Sequence, residues 1–284
     1  MVKHVSLHRS NKILFMKKIN WVAGLLMLAV FSGCFDTVDE FTITENGSGT
    51  FVNSFDMGKM MGLLKTMGGG NDEMKEFEKL KTDTVINIKD IKDSLKNLTD
   101  AEKRIAATGK LRVQIDAKED ILNFTFTYPF ANTSEIAPIQ NILKKAKGDV
   151  IENIMGKLTG EEGNKKGGDK GMFDMGEDDM QPEEVGVNLD HYYTAVYEKG
   201  KFSRKLNKEK YAQVEDDKTL KSMQEMAQLG MSVNMKTIIN LAKPAKKAEG
   251  KGVKLSEDKK KITIEGTLDD FFEDGSYFEY NIEY

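Results

Sequence analysis

Acids, one histidine far along the chain, sixteen methionines and a single cysteine are the side chains of this 284-residue sequence suited to chemistry. Asp269-Asp270 and Glu273-Asp274 flank Phe271-Phe272. Two carboxyl groups on opposite sides of a cleft would make a hydrolase of the glycosidase type. Adjacent acids do not by themselves supply that separation, and a solvated charged loop is the simpler expectation. Asp169, Asp174, Glu177, Asp178 and Asp179 have the composition of a calcium loop without its D-x-[DN]-x-[DN]-G spacing and distal Glu. His191 precedes a strand pattern, and no second His or Cys follows residue 34 to complete a zinc site or a Cys–His pair. These residues lead us to expect no catalytic set, no metal and no cofactor, and so a protein that is not an enzyme.

The methionines are clustered. Met57, Met60, Met61, Leu64 and Met67 fall at helical spacing, as do Leu220, Met223, Met226 and Ala227. Methionine is flexible and polarizable, which suits apolar surfaces that adapt to variable partners. Two uses follow. The stripes pack on a sheet as core, the commoner fate of such a pattern. Alternatively Met57, Met60, Met61, Leu64, Met67, Met223 and Met226 form an apolar surface for a lipid, a hydrophobic ligand or a partner protein. Copper held by thioethers lacks a nearby histidine.

Cys34 has the most informative surroundings. Lys17-Lys18, the apolar stretch Ile19 to Phe31 and the small pair Ser32-Gly33 precede it, in the order of a secretory signal. That core, about a dozen residues, is short of the ~20 that span a bilayer. Residues 1–15 fit poorly as its basic region, which points to Met16 as the true start. The segment resembles the lipobox of bacterial lipoproteins, with Phe31 where that family prefers Leu. The resemblance implies cleavage between Gly33 and Cys34, and acylation of Cys34 with palmitate-type chains. Several chains on one residue make a stable membrane anchor. The other reading is an uncleaved anchor helix. Cleavage removes five basic residues and leaves 37 basic against 46 acidic side chains, a net charge of −9. Binding of nucleic acid needs clustered Lys and Arg, so none is expected.

The elements behind the signal divide at a seam. Residues 34–40 (CFDTVDE) are expected as a lipidated tether, and their acids resemble the surface-export signal of Bacteroidetes lipoproteins. Residues 41–158 make a first half. Phe41 to Asp56 reads as a hairpin turning at Asn46-Gly47. Leu111, Val113 and Ile115 alternate as a strand, as do Phe124, Phe126 and Tyr128, with a turn at Lys118-Glu119-Asp120. Ile88, Ile91, Leu95 and Leu98 make a helical stripe, and Ile136, Ile139, Leu143, Ala146, Val150, Ile154 and Leu158 a long amphipathic helix. Residues 159–187, rich in Gly and charge, have almost nothing to bury and are expected as a flexible, disordered insertion. Residues 188–284 make a second half: Tyr193 to Tyr197, a Lys199-Gly200 turn, a strand from Phe202, the second Met-rich helix, and strands at Val233 to Leu241, around Ile264 and from Phe278.

FTITENGSGTF (41–51), NMKTIINLAKPAKKAEG (234–250) and VKLSEDKKKITIEGTLDDFF (253–272) together resemble uncharacterised Bacteroidetes lipoproteins and, more distantly, the LppM-like lipoprotein domain. The resemblance implies fold and location and supplies no catalytic residues. The fold expected is α+β, an antiparallel sheet built from both halves with amphipathic helices on one face. The function expected is that of an outer-membrane envelope lipoprotein, anchored through Cys34, which binds an apolar ligand or a partner protein. A carboxylate-dependent hydrolase acting on envelope polymers is the alternative, with a purely structural role as a third.

Overall fold

The computed structural model describes residues 35–67, 79–91, 98–159, 189–228 and 232–284. Two sheets carry the fold. The larger has eight strands: β1 (Phe35–Ile43), β2 (Gly49–Asp56), β3 (Lys81–Asn87), β4 (Lys110–Asp116), β5 (Ile121–Phe130), β8 (Val233–Leu241), β10 (Val253–Leu255) and β11 (Lys261–Thr267). Their order is β10-β11-β8-β1-β2-β5-β4-β3. The smaller sheet is β6 (Tyr193–Glu198), β7 (Lys201–Leu206), β12 (Tyr280–Glu283) and β9 (Lys247–Glu249). The helices are α1 (Gly58–Met67), α2 (Asp100–Ala106), α3 (Ile136–Thr159), α4 (Lys208–Tyr211), α5 (Lys218–Gln228) and α6 (Leu268–Glu273).

This is an α+β protein, and strands of both halves share the large sheet. Its seam departs from the antiparallel expectation, since β1 runs parallel to β8 while its other neighbour, β2, is antiparallel. A parallel neighbour needs a long crossover, here most of the chain between Ile43 and Val233. Strand alternation carries no sign of that direction. The second sheet draws on the second half alone.

Alternation sets the two faces of the large sheet. Phe41, Phe51, Phe55, Leu111, Val113, Phe124, Phe126, Tyr128, Ile239 and Ile262 are all buried on one face, in register across β8, β1, β2 and β5. Phe41 stacks on Phe51 at 4.9 Å and Phe55 on Phe124 at 5.0 Å. The small sheet reaches the same core, where Phe202 meets Phe41 edge-on at 5.9 Å. The stripe of α3 also joins the interior through Ile136, Ile139, Ile142 and Leu143, so this helix packs on the sheet. Among the described residues no helix is long and apolar enough to cross a membrane.

Two local readings change. Residues 35–40, expected as tether, are the opening of β1, held between β2 and β8. Their acids look solvated in sequence, yet each finds a donor on a neighbouring strand. Asp36 accepts from Asn234 Nδ2 at 2.7 Å, Glu40 from Asn240 Nδ2 at 2.6 Å and Asp39 from Asn53 Nδ2 at 2.7 Å. Two of those donors lie some two hundred residues away, beyond the reach of a local reading. The stripe at Ile88 also begins differently: β3 precedes it and Ile88–Asp90 form one 3₁₀ turn. The Asn46-Gly47 turn stands, with Gly47 at φ +89 and its N–H donating to Thr44 O at 3.0 Å.

Residues 1–34, including Gly33 and Cys34, lie outside the described residues, as does nearly all of the 159–187 insertion.

Candidate ligand-binding cavity

The inward face of β1 reads Thr37, Asp39, Phe41, Ile43. Its neighbours place Asn53 of β2 and Thr237 of β8 on either side of Asp39. A strip of three polar residues therefore crosses a face that is otherwise apolar. Above that strip lies a cavity of about 360 Å³, within the range of small-molecule sites. Lys147 and Leu143 of α3 line it, with Asp190 and His191 of the 189–192 turn, Arg204 of β7, and Leu220 and Met223 of α5.

Each charged group reaches the cavity for a structural reason. Lys147 lies one turn beyond buried Leu143 on the sheet-facing side of α3, its ammonium 3.8 Å from the ring centre of Phe55. Arg204 lies two residues after buried Phe202, hence on the same side of β7. Its guanidinium covers the Tyr193 ring at 4.0 Å and pairs with Asp190 at 3.1 Å. Asp39 and Lys147 act on each other through their charges without closing into an ion pair.

The polar groups are short of partners. Asn53 is only 7 % exposed; its amide nitrogen serves Asp39, while its Oδ1 has no partner among the described residues. The same holds for Thr37 Oγ1 and Arg204 Nε. An unpaired buried polar atom costs about 1–3 kcal/mol, and such groups need an explanation in function or in bound solvent.

Burial also moves the titrations. It is the largest cause pushing Asp39 up to about 6; the negative charge of Asp190 adds to it, while Asn53, Arg204 and Lys147 pull the other way. Burial likewise brings Lys147 down to about 8, opposed by the attraction of Asp39. Burial and the charges of Lys210 and Lys144 lower His191, which keeps an edge-on ring contact with Tyr192 at 5.3 Å. Perturbed acids and bases gathered in one cavity are a mark of functional sites. Chemically, the arrangement can seat separated charges of both signs and exchange a proton on Asp39 near neutral pH.

The residues singled out in sequence fall elsewhere, in the main. Met57 and Met61 are buried at 8 % and 2 % exposure, so they fill the interior rather than form a surface. Met223 is buried and lines the cavity. The side chains of Met60, Leu64, Met67 and Met226 lie outside the described residues. Asp270 is committed to a capping box, accepting from Thr267 N at 2.7 Å while its own N–H donates to Thr267 Oγ1 at 3.1 Å. Lys251 and Ser276 bind Asp274 and hold it down to about 2. These acids therefore fix the ends of α6 and of the turn after it. Thr267→Ala should cost about 1 kcal/mol in urea unfolding; no change would show the cap to be idle. Asp39, Asn53, Lys147 and Arg204 escaped the sequence reading, though each is a polar residue where strand or helix periodicity calls for an interior one.

No family model matches the chain, and no curated protein matches it. Among solved structures it is similar to the NMR structure of the Mycobacterium tuberculosis LppM folded domain. That likeness is remote, with 7% identity and a TM-score of 0.32 over 88% of this chain and 90% of that one.

Proposed function

We propose that this chain is a bacterial envelope lipoprotein, anchored in the outer membrane by acyl chains on Cys34, whose body binds a small molecule in the cavity beneath α3. The observation carrying the binding reading is a buried polar strip, short of partners, facing a space of about 360 Å³. Beside the apolar ligand or partner protein expected from the methionines, the lining favours a ligand with polar and apolar parts. Leu143, Leu220, Met223 and Met235 line the cavity beside Asp39, Lys147 and Arg204. Anchoring is supported by the signal-like residues 17–34.

Two measurements test the two parts. Intact mass of protein extracted from the native envelope should show a chain starting at Cys34 with an acyl increment, lost in Cys34→Ala. A chain that retains Trp21 and carries no acyl mass would overturn the anchor. For binding, the same preparation should release a small molecule near one per chain on denaturation. Little should come from Thr237→Phe, which fills the cavity floor. Release of none from the wild type would remove the binding reading.

A hydrolytic reading draws on Asp39 and Asp190, two carboxylates in unlike surroundings on one cavity. Product released from cell-envelope glycan by the wild type, and by neither Asp39→Asn nor Asp190→Asn, would support it; no release would dismiss it.

A further inference from the structure

We propose that the cavity's ligand is a zwitterion: a small molecule carrying an ammonium, seated at Asp39 and Asn53, and an oxyanion, seated at Lys147 and Arg204. The inference rests on the binding reading above and names the class of molecule it takes.

An inventory of what the cavity lacks supports it. On the acceptor side stand the Asp39 carboxylate and Asn53 Oδ1, the latter without a partner among the described residues. A ligand ammonium supplies three donors to such a pair. On the donor side stand the Lys147 ammonium and the Arg204 guanidinium. Among the described residues Lys147 rests on a ring face rather than on an acceptor, and Arg204 Nε is unpaired. Oxyanions are what ammonium and guanidinium groups bind most strongly.

Charge decides between ligand classes. Of the other charged residues lining the cavity, Lys236 pairs with Glu265, Lys144 is exposed, and Asp217 accepts from Tyr192 Oη and Leu220 N. Among the four that remain, Asp39 and Asp190 offset Lys147 and Arg204. A simple anion or a simple cation would leave one charge uncompensated beside the part-buried Asp39 and Lys147, which is costly where water is partly excluded. A molecule that is neutral overall but separated in charge meets both sides without that cost. A neutral sugar would serve the hydrogen bonds but would leave Asp39 and Lys147 ionised without counter-charges in contact. The two do not close on each other, although they face one cavity.

Ammonium with oxyanion occurs both in free amino acids or short peptides and in ethanolamine phospholipid headgroups. Isothermal titration of the detergent-extracted full chain separates these sources. Alanyl-alanine serves as one probe and glycerophosphoethanolamine, a phosphodiester that is neutral overall, as the other, with ethylammonium, propionate and dimethyl phosphate as single-charge controls. One zwitterion should bind at least about tenfold more tightly than every control. Lys147→Met and Asp39→Asn should each weaken it by about ten- to a hundredfold, whereas Lys147→Arg should keep most of the affinity. Tighter binding of alanyl-alanine assigns the amino-acid source, and tighter binding of glycerophosphoethanolamine the headgroup. Controls that bind as well as the zwitterions would overturn the inference, as would Lys147→Met and Asp39→Asn forms that are folded by circular dichroism yet unaffected. An uncharged molecule recovered from the native protein would overturn the zwitterion and leave the cavity a binding site. No recovered molecule and no probe binding would take the binding reading down with it.

Discussion

Replacing Phe202 with alanine is expected to cost about 3–5 kcal/mol of stability, the range for emptying a buried aromatic site. Phe202 has no exposed surface and joins the two sheets through ring edges. It meets Phe41 of the large sheet at 5.9 Å, Tyr197 of its own hairpin at 5.0 Å and Tyr284 at 5.8 Å. Aromatic pairs of this geometry add about 0.5–1.5 kcal/mol beyond their area. The space left by truncation cannot close easily, because Phe202 pairs with Tyr197 on one side and Ile282 on the other, and both strands hold the backbone in place. Urea unfolding at neutral pH measures the effect. A loss under about 1 kcal/mol would mean that the rings do not hold the sheets together.

Asp39→Asn is expected to act the other way and make the protein more stable at pH 8. The folded-state value of Asp39, about 6, stands above its ordinary 3.8. Between those values the folded chain holds a proton that the unfolded chain has lost. Stability from this group is therefore full below about pH 4 and is lost as the pH rises through 6. At about 1.4 kcal/mol per pH unit of difference, the loss reaches roughly 3 kcal/mol. Lys147, held down at about 8, carries the mirrored effect: its contribution is full above about 10.5 and is lost as the pH falls through 8. Between pH 6 and 8 both costs are present together. Groups of either sign face Asp39, namely Asp190 from the 189–192 turn, Arg204 from β7 and Lys147 from α3, and the shift is already their net result. Asparagine fixes the neutral state, so the variant should gain about 2–3 kcal/mol at pH 8, about 1 kcal/mol at pH 4.5 and little at pH 3, read as the difference between two unfolding curves. Parallel pH profiles for the two proteins would refute the assignment. A site that opposes its own fold in this way fits the trade of stability for function common in binding proteins.

The sequence made most strands legible because one-sided burial stamps a period of two on them. Leu111, Val113 and Ile115 sit on the buried face, as do Leu122, Phe124, Phe126 and Tyr128, and the turns at Asn46-Gly47 and Lys199-Gly200 carry their glycines at positive φ. β3 was hidden because its own sequence, KTDTVIN, is mostly polar and none of its residues is fully buried. The direction of β8 was hidden because pairing direction leaves no local trace. For the site, the signal was present but its chemistry masked it. Asp39 is two residues from Phe41, Arg204 two from Phe202 and Lys147 four from Leu143, all in the phase of the core. Read singly, each is a charge at a surface. Only the fold, which places β2, β8, α3 and β7 around one space, turns them into partners.

β1 begins at Phe35, the residue that follows Cys34 in the sequence. A chain that enters a paired strand at the residue after an acyl-bearing cysteine has about 3.8 Å of backbone in which to part from the bilayer. With the anchor proposed above, the end of the sheet formed by Asp36, Asp56 and Asn234, which share one register, would be the end nearest the lipid. Force on such an anchor would be transmitted along the axis of β1. That strand is bonded to β2 over eight positions and to β8 over nine, so its bonds must give way together in shear and not peel apart one at a time. Tension between membrane and body would thus act on the row that carries Thr37 and Asp39, and so on the floor of the cavity itself.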